Sequence, residues 1–396
     1  MSKLIYMDNA ATTKVSQEVM DAMIPYFTEH YGNPSSIYDL GQENKKAIAE
    51  ARDKVAKALN ADPKEIFFTG SGTESDNWAI RMYAEANKGK GNHIITTKIE
   101  HHAVLHVCEY LEKHHGFEVT YLGVDSEGII SLEELEAAIR PETILITIMF
   151  ANNEIGSIQP VKEISEIAKK HNVVFHTDAV QAVANVEVDV KELGVDMLSL
   201  SAHKFHGPKG VGVLFVRRGI KLPTFMLGGG QERGKRAGTE NVAGIVGLGV
   251  AMETAINNLQ EHKSYLTELR DYLISQVLEK IPYSQLNGPT GDKRLPGNTN
   301  FSFRFIEGEG MLLLLNMNKI AASSGSACTS GSLDPSHVLL SIGLTHEVAH
   351  GSLRLSLSEE NTKEDVDFVV EKLAQIVQRL RDKSPLYMEF IKGENK

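Results

Sequence analysis

Short apolar segments alternate with helical patterns through the first part of the chain. They cover residues 66–69, 93–97, 144–149, 173–178, 197–200 and 211–216. Continuous apolar runs of this length, bounded by turns, are typical of strands that are buried on both faces, and helices between them favour a parallel sheet covered by helices. The alternation therefore predicts an α/β fold whose ligands bind at the carboxyl ends of the strands.

Length and composition limit the class of protein. The chain has 396 residues, of which 42% are hydrophobic and 23% charged, as is ordinary for a globular enzyme with more than one core. A net charge of -11 disfavours nucleic acid as a partner. The chain has neither an apolar run of membrane-spanning length nor a signal-peptide pattern, and two cysteines provide no disulfide framework. We therefore expect a cytoplasmic enzyme without a membrane partner.

Lys204 lies in a connector of Gly, Pro and polar residues, 201–210, between two predicted buried strands. A lysine held against an apolar core loses part of the stability of its charged form, so its pKa falls and its amine becomes nucleophilic. Such an amine can form a Schiff base with an aldehyde cofactor. From this segment alone, the alternative is a lysine whose ammonium group reaches solvent from a turn.

The segment 70–77 is rich in Gly, Ser and Thr and lies between a predicted strand and a predicted helix. Free N–H groups at a helix N-terminus favour an anion such as phosphate. The segment lacks both the Gly-Lys-Ser/Thr ending of a P-loop and the dinucleotide fingerprint. Turns of small residues also cap helices without binding a ligand, so both interpretations stay open for this segment alone.

Polar side chains follow the ends of five predicted strands. They are Thr73, His101, Asn152, Asp178 and Lys204. Because the carboxyl ends of parallel strands meet at one edge of a sheet, we expect these residues to lie close together. Their convergence favours a functional site over five unrelated turns.

The second part of the chain has a different pattern. A helical stretch at 242–280 leads to strand candidates at 299–305 and 351–357 and to a terminal helix at 363–382. Cys108 lies on the apolar face of a predicted helix, which predicts a buried structural thiol. By contrast, Cys328 lies within a run of Ser, Gly, Ala and Thr, which predicts an exposed, reactive thiol on a mobile loop.

Together these motifs resemble those of the class V aminotransferases, which use pyridoxal phosphate, and within them the cysteine desulfurases of the NifS/IscS type. The resemblance is carried by residues 6–13, 32–36, 72–75, 100–101, 152–156, 178–181, 201–204, 236–241 and 323–331. The last segment is the most specific, because it resembles the long cysteine loop of the NifS/IscS group and not the shorter loop of the SufS group. Small departures are Asn316 and Lys319, where aspartate and glycine are commoner, and Ser358, which stands before Glu359 where glycine is commoner; these residues lie beside the expected site.

The resemblance implies the fold type I of pyridoxal-phosphate-dependent transferases. In this fold a large domain, 16–260, holds a mostly parallel seven-stranded sheet flanked by helices. A smaller α+β domain, formed by 1–15 and 261–396, carries the cysteine loop. The resemblance also implies a homodimer, L-cysteine as substrate and an iron–sulfur scaffold protein of the NifU/IscU kind as sulfur acceptor, with no metal in the site.

The resemblance further implies the role of each site residue. Lys204 would bind the cofactor covalently, His101 would stack on its ring and help to move protons, and Cys328 would take the sulfur. The other cofactor-binding residues would be Gly72, Thr73, Asn152, Asp178, Gln181, Ser201, His203 and Thr239, the last reaching the neighbouring subunit. The substrate would be bound by Asn33, Asn152 and Arg354.

The implied reaction converts L-cysteine to L-alanine and leaves a persulfide on Cys328. This sulfur would then pass to acceptors for iron–sulfur cluster assembly or for other sulfur-containing molecules, and the sequence does not identify which. The alternatives are a selenocysteine lyase, an aminotransferase and a non-catalytic partner in sulfur transfer. An aminotransferase has no use for the Cys328 thiol, and a non-catalytic protein has no need of Lys204, Asp178, His101 and Gln181 together.

Overall fold

The computed structural model describes residues 3–324 and 335–394. Its strands are β1 (Ile5–Tyr6), β2 (Ile66–Thr69), β3 (His93–Thr97), β4 (Glu118–Leu122), β5 (Thr143–Thr147), β6 (Val174–Asp178), β7 (Met197–Ser201), β8 (Gly212–Val216), β9 (Ser284–Leu286), β10 (Asn298–Phe303), β11 (Ile320–Ala321) and β12 (Ser352–Ser356). Seven of them form one sheet in the order β2-β8-β7-β6-β5-β3-β4. Only β8 runs against its neighbours, so the predicted mostly parallel seven-stranded sheet is confirmed.

Helices occupy much of the remaining chain. They are α1 (Gln17–Met23), α2 (Pro25–Thr28), α3 (Asp39–Leu59), α4 (Gly72–Asn77), α5 (Tyr83–Asn87), α6 (His102–His115), α7 (Leu132–Ala138), α8 (Val161–Lys170), α9 (Val190–Leu193), α10 (Gln231–Gly234), α11 (Val242–Asn257), α12 (Leu259–Lys280), α13 (Gly308–Met317), α14 (His337–Ser341), α15 (His346–His350), α16 (Lys363–Arg381) and α17 (Pro385–Glu394). A π-helical turn joins α4 to α5, so one helical run follows β2.

Hydrophobic clusters cover both faces of the large sheet. Successive strand residues point to opposite faces, so Ile95 and Ile146 join one cluster while Ile94 and Leu145 join the other. Cys108 belongs to the second cluster and is fully buried, as its position on the apolar face of α6 predicts. Burial on both faces explains why these strands are continuously apolar in sequence.

A separate core lies in the C-terminal part of the chain. There β9, β10 and β12 form an antiparallel sheet, against which α12, α13 and α16 pack. Ile5 and Met7 also pack in this core, so the N-terminus crosses between the two parts. This arrangement agrees with the proposed smaller domain, and the exact domain bounds stay a prediction.

The predicted helical stretch at 242–280 is present in the structure. It is two helices, α11 and α12, that meet at Asn258 with a bend of 70°. Helix α11 packs against α1 and α3 beside the large sheet, whereas α12 packs against α16 in the C-terminal core. The two packing surfaces impose the bend. Within the described residues, no single helix is long and apolar enough to cross a membrane. Taken together, the bent pair α11 and α12 has the length and apolar composition of a membrane span.

Candidate active site

The predicted cluster of polar residues lies at one edge of the large sheet. The strands β2, β3, β5, β6 and β7 all run in the same direction. Each of the five residues Thr73, His101, Asn152, Asp178 and Lys204 lies at the carboxyl end of one of these strands or in the segment that follows it. The fold therefore brings the five sequence candidates to one side, as expected for a ligand site in a parallel sheet.

The N-terminal segment 8–13 crosses this edge and contacts the Lys204 connector. The amine Nζ of Lys204 donates to the carbonyl oxygens of Ala10, at 2.6 Å, and Ala11, at 2.9 Å. The side chain of Gln181 also donates to the Ala10 oxygen, at 2.9 Å. The Thr13 amide donates to the carbonyl of His203, at 2.9 Å. These contacts hold the amine at a defined point between the sheet edge and the C-terminal core.

Asp178 is a buried carboxyl group at the end of β6. Burial raises its pKa, while a hydrogen bond from the Val180 amide, at 2.9 Å, and the charge of Lys204 lower it. Behind it lies Asp76, whose pKa is raised well above the ordinary value by burial and by the charge of Asp178. Because two such carboxyl groups resist ionising together, a cation bound beside Asp178 would be strongly favoured there.

His101 forms the N-cap of α6, and this contact fixes which nitrogen of its neutral ring carries the proton. Its Nδ1 accepts a hydrogen bond from the Ala103 amide, at 3.1 Å, so a neutral ring carries its proton on Nε2. Burial, followed by the charge of Lys204 and by neighbouring histidines, lowers the pKa of His101 to about 4. At neutral pH the ring is therefore uncharged and suited to stacking against another ring.

Arg354 on β12 approaches the same region from the C-terminal core. It is buried, and its Nη1 donates to the carbonyl of Asn153, at 2.9 Å. Its Nη2 donates to Asp8, at 3.1 Å. Among the described residues, Nε of Arg354 is buried without a hydrogen-bond partner. A buried guanidinium with an unused donor is a ready binding group for a carboxylate.

Asn152 already has a structural role. Its amide nitrogen donates to the carbonyl of Ile99, at 2.9 Å, and its side-chain oxygen accepts from the amides of Glu154 and Ile155. Gly156 closes this turn with φ +72°, and a Cβ there would lie 2.6 Å from the Asn298 side chain. The predicted contacts of Asn152 with cofactor and substrate therefore stay a prediction.

The residues predicted to hold phosphate fall into two groups. Ser201 and Gly72 are buried beside each other, and a Cβ on Gly72 would lie 2.6 Å from the Val180 side chain, so this position requires glycine. Burial and the charge of Lys204 lower the pKa of the nearby His203 to about 4. Thr73 is exposed at the start of α4 and lines an open cavity that also contains His101.

Asn33 and Thr239 are not brought into the site by this chain alone. Both are exposed, and no hydrogen bond between described side chains joins either one to Lys204, Asp178 or Arg354. Their predicted roles stay predictions.

Two buried glutamates were missed by the sequence reasoning. Glu100 accepts hydrogen bonds from the Met149 amide and from Thr97, and burial raises its pKa to about 8. Glu154 accepts from Ser336, and burial raises its pKa to about 7. Each lies in a polar turn whose sequence resembles a solvated loop, so no local pattern indicates that it is buried.

The described residues on either side of the cysteine loop are attached to the site. Ser323 pairs through its backbone with Arg354, at 3.3 Å and 2.6 Å. On the other side, Ser336 donates to Glu154 and His337 contacts the carbonyl of Glu100, at 3.0 Å. Cys328 itself lies outside the described residues. The described residues before and after this segment therefore contact Arg354, Glu154 and Glu100.

These residues fit pyridoxal phosphate. Lys204 provides the amine, Asp178 provides a buried carboxylate for a ring cation, and the neutral His101 provides a stacking surface. The N-terminus of the helical run after β2 provides free amides next to Gly72, where a side chain would not fit. The Nε of Arg354, which has no partner among the described residues, would suit a substrate carboxylate.

Comparison with known proteins identifies the family of the chain. The family described as Aminotransferase class-V matches residues 5–369. "Cysteine desulfurase IscS" of Clostridium botulinum is 58% identical over 395 residues, which cover 100% of this chain and 99% of the relative. The protein of the same name from Methanosarcina thermophila is 59% identical, covering 97% and 95%. A solved "NIFS-LIKE PROTEIN" is 41% identical with a TM-score of 0.90, covering 96% of this chain and 100% of its own. The chain therefore belongs to the class V aminotransferases, among the pyridoxal-phosphate-dependent cysteine desulfurases of the NifS/IscS type.

Proposed function

We propose that this enzyme removes sulfur from L-cysteine at the site around Lys204, releases L-alanine and leaves the sulfur on Cys328 as a persulfide. The observation that carries the proposal is the position of the Lys204 amine. It rests on two backbone carbonyls, and its charge acts on both Asp178 and His101. A lysine whose charge acts on both groups suits a cofactor that uses Asp178 for its ring cation and His101 for its ring face.

The remaining large-domain residues would hold the cofactor. Asp178 would pair with its ring nitrogen, and Gln181 would contact its ring hydroxyl. Its phosphate would be bound by Gly72, Thr73, Ser201 and His203, with Thr239 from a neighbouring subunit. When bound, pyridoxal phosphate supplies an electron sink that stabilises negative charge on the substrate Cα.

Lys204 would act as the base of the reaction. Once its Nζ is displaced by the substrate amine, it would take the proton from the substrate Cα. The Ala10 and Ala11 carbonyls accept hydrogen bonds from Nζ, so they would hold the amine in place as it gains this proton. His101 carries its proton on Nε2 and would help to return protons to the substrate.

Arg354 would bind the substrate carboxylate, with Asn33 assisting. Its Nη2 is paired with Asp8 and its Nε has no partner among the described residues, so a carboxylate would bind next to Asp8 or replace it. A guanidinium that binds a carboxylate through two donors fixes orientation as well as position. The substrate Cα would thereby be directed towards Lys204.

Cys328 would attack the substrate sulfur as a thiolate. A sulfur–sulfur bond would form as the substrate C–S bond breaks, and the electron pair left on the substrate carbon would be protonated to give the alanine methyl group. Cys328 is four positions after Ser324, so the covalent limit of its reach from that residue is about 14 Å. The backbone pairing of Ser323 with Arg354 supports this role, because Arg354 is the residue proposed to bind the substrate carboxylate.

Product analysis with L-cysteine tests the proposal. We expect the purified protein with bound pyridoxal phosphate to release L-alanine from L-cysteine through many turnovers when a thiol reductant removes the persulfide. L-Serine, which has no sulfur for a thiolate to attack, is the control and should yield no alanine. Conversion of L-cysteine to pyruvate or to a keto acid without alanine would contradict a desulfurase.

We also propose a homodimer, because Thr239 is exposed in the single chain and no described side-chain hydrogen bond joins it to Lys204, Asp178 or Arg354. Large apolar side chains are exposed on the same chain, among them Phe27, Tyr31, Ile37 and Leu227, which are 63%, 70%, 94% and 89% exposed. Apolar surface of this kind is stabilised by a partner. A second copy that covered it could also bring Thr239 to the phosphate of its neighbour.

Mixing two inactive variants tests this arrangement. A Lys204→Ala subunit paired with a Thr239→Ala subunit should leave one site per dimer with both residues intact, since the two residues would come from different chains. We expect refolded mixtures to retain more cofactor and activity than the average of the two separate variants. A mixture that only equals this average, or a monomer with full cofactor occupancy, would contradict the proposal.

For the sulfur acceptor we propose an iron–sulfur scaffold protein of the NifU/IscU kind. The support is the name of the relatives and the Cys328 segment, which a partner must reach to take the sulfur. We also propose a cytoplasmic location, since a free thiol that cycles through a persulfide needs a reducing compartment.

A further inference from the structure

His206 lies two residues after Lys204, and both nitrogens of its ring face oxygen acceptors. Nδ1 is 2.9 Å from the carbonyl oxygen of Lys14, and Nε2 is 3.3 Å from a carboxylate oxygen of Glu359. A neutral imidazole has one N–H, whereas the cation has two. Only the protonated ring can therefore donate to both acceptors, and a neutral ring would turn a lone pair towards the carboxylate.

The backbone holds this ring in place. His206 adopts a left-handed conformation with φ +61°, which few residues other than glycine adopt without support. Its amide donates to the Thr13 hydroxyl, at 2.7 Å, and its carbonyl accepts from the Ser16 amide, at 3.1 Å. These contacts fix the direction of the side chain, so the pairing with Glu359 follows from the shape of the Lys204 connector.

The pairing joins the two halves of the active site. His206 belongs to the connector that carries Lys204, and Glu359 follows β12, which carries Arg354. Glu359 and His206 both line a cavity of about 120 Å³ that also reaches Lys204.

The neighbouring charges favour the ionic form of this pair. Burial lowers the pKa of His206, but the hydrogen bond and charge of Glu359, with Glu360 adding to them, outweigh it and raise the pKa. Burial raises the pKa of Glu359, and His206 and the more distant His262 lower it to about 2. Glu360 itself pairs with Lys14 at the surface.

We propose that His206 and Glu359 form a proton-dependent strap between the Lys204 connector and the strand of Arg354, and that Glu359 is a positioning residue for Lys204. The strap is complete when Glu359 is ionised and His206 is protonated. The raised pKa of His206 means that the strap is lost as pH rises through that value. It fails in acid only when Glu359 is protonated, near the lowered pKa of about 2.

Histidine titration by NMR tests the strap directly and does not depend on the proposed reaction. In the cofactor-bound protein labelled at histidine Cε1, the His206 signal is identified by its loss in His206→Gln. We expect its pKa to lie above the ordinary value of about 6.5. Glu359→Gln should lower it to that value or below. The matched control is Glu360→Gln, which removes the neighbouring carboxylate and should leave the His206 pKa above 6.5.

The pH profile of turnover tests the positioning role, which rests on the proposed function. The quantity to follow is the kcat of Glu359→Gln divided by the kcat of the unmodified protein. We expect this ratio to be severalfold below one near pH 6 and to approach one near pH 9.5, where the strap is already released. His206→Gln should give the same profile, and the double variant should be no worse than either. A kcat ratio that does not change with pH would overturn the positioning role. A His206 pKa below 6.5 in the unmodified protein, or one that Glu359→Gln does not move, would overturn the strap itself.

Discussion

Lys204→Ala is expected to reduce desulfurase turnover by about 10³-fold or more and to weaken cofactor retention, because one side chain would hold the cofactor and also move the Cα proton. The loss should not result from unfolding. The Lys204 amine contacts the carbonyls of Ala10 and Ala11, whereas the packing around it comes from buried neighbours such as Ala202 and Phe205. Turnover with L-cysteine and the absorbance of the bound cofactor are the measurements.

Lys209→Ala is the matched control for this substitution. Lys209 lies on the same connector and is exposed, so its removal should leave turnover and cofactor retention within a factor of about two. A Lys204→Ala protein that keeps a tenth or more of the original turnover would contradict the role given to Lys204.

Cys328→Ala is expected to stop both persulfide formation and alanine release while the cofactor stays bound. The residues proposed to bind cofactor and substrate do not include this thiol, so L-cysteine should still change the spectrum of the bound cofactor. The measurement combines alanine quantification with intact mass, which should show one added sulfur atom on the unmodified protein and none on the variant.

Cys108→Ala separates the two thiols. Cys108 is fully buried among apolar side chains of α6 and its surroundings, and burial raises its pKa above the ordinary range. A thiol in this state is a poor nucleophile. The substitution should cost about 1 kcal/mol in the free energy of unfolding and leave turnover nearly unchanged. A Cys108→Ala protein that binds cofactor but gains no sulfur, or a Cys328→Ala protein that still gains it, would reverse the assignment.

Local sequence patterns were sufficient to predict the strands of the large sheet and the residues that follow them. The strands at 66–69 and 93–97 match the structure residue for residue, because both segments are rich in the β-branched and aromatic residues that favour strands. The positions of Asp178 and Lys204 at the sheet edge follow from the same pattern, since each comes at a strand end. The resemblance to a family then added the chemistry, which strand positions alone do not specify.

Contacts between residues that are far apart in the sequence could not be predicted from local patterns. The pairing of Asp8 with Arg354 joins residues 346 positions apart, and the buried carboxylate of Glu100 is held by Met149. Neither contact has a signature in the nearby sequence. The bend at Asn258 was missed for a similar reason, because neither glycine nor proline marks it and the bend results from packing against two different cores. The same holds for His206 and Glu359, which are polar residues in two separate turns.

The most direct test of the central claim is to identify the residue that holds the cofactor. Borohydride reduction of the protein with bound pyridoxal phosphate, followed by peptide mapping, locks the cofactor onto the lysine that carries it. The account predicts that the label lies on Lys204, within the peptide that follows β7, and that labelling is lost in Lys204→Ala. A label on Lys209, or on any lysine away from the edge of the sheet where Asp178 and His101 lie, would contradict the account.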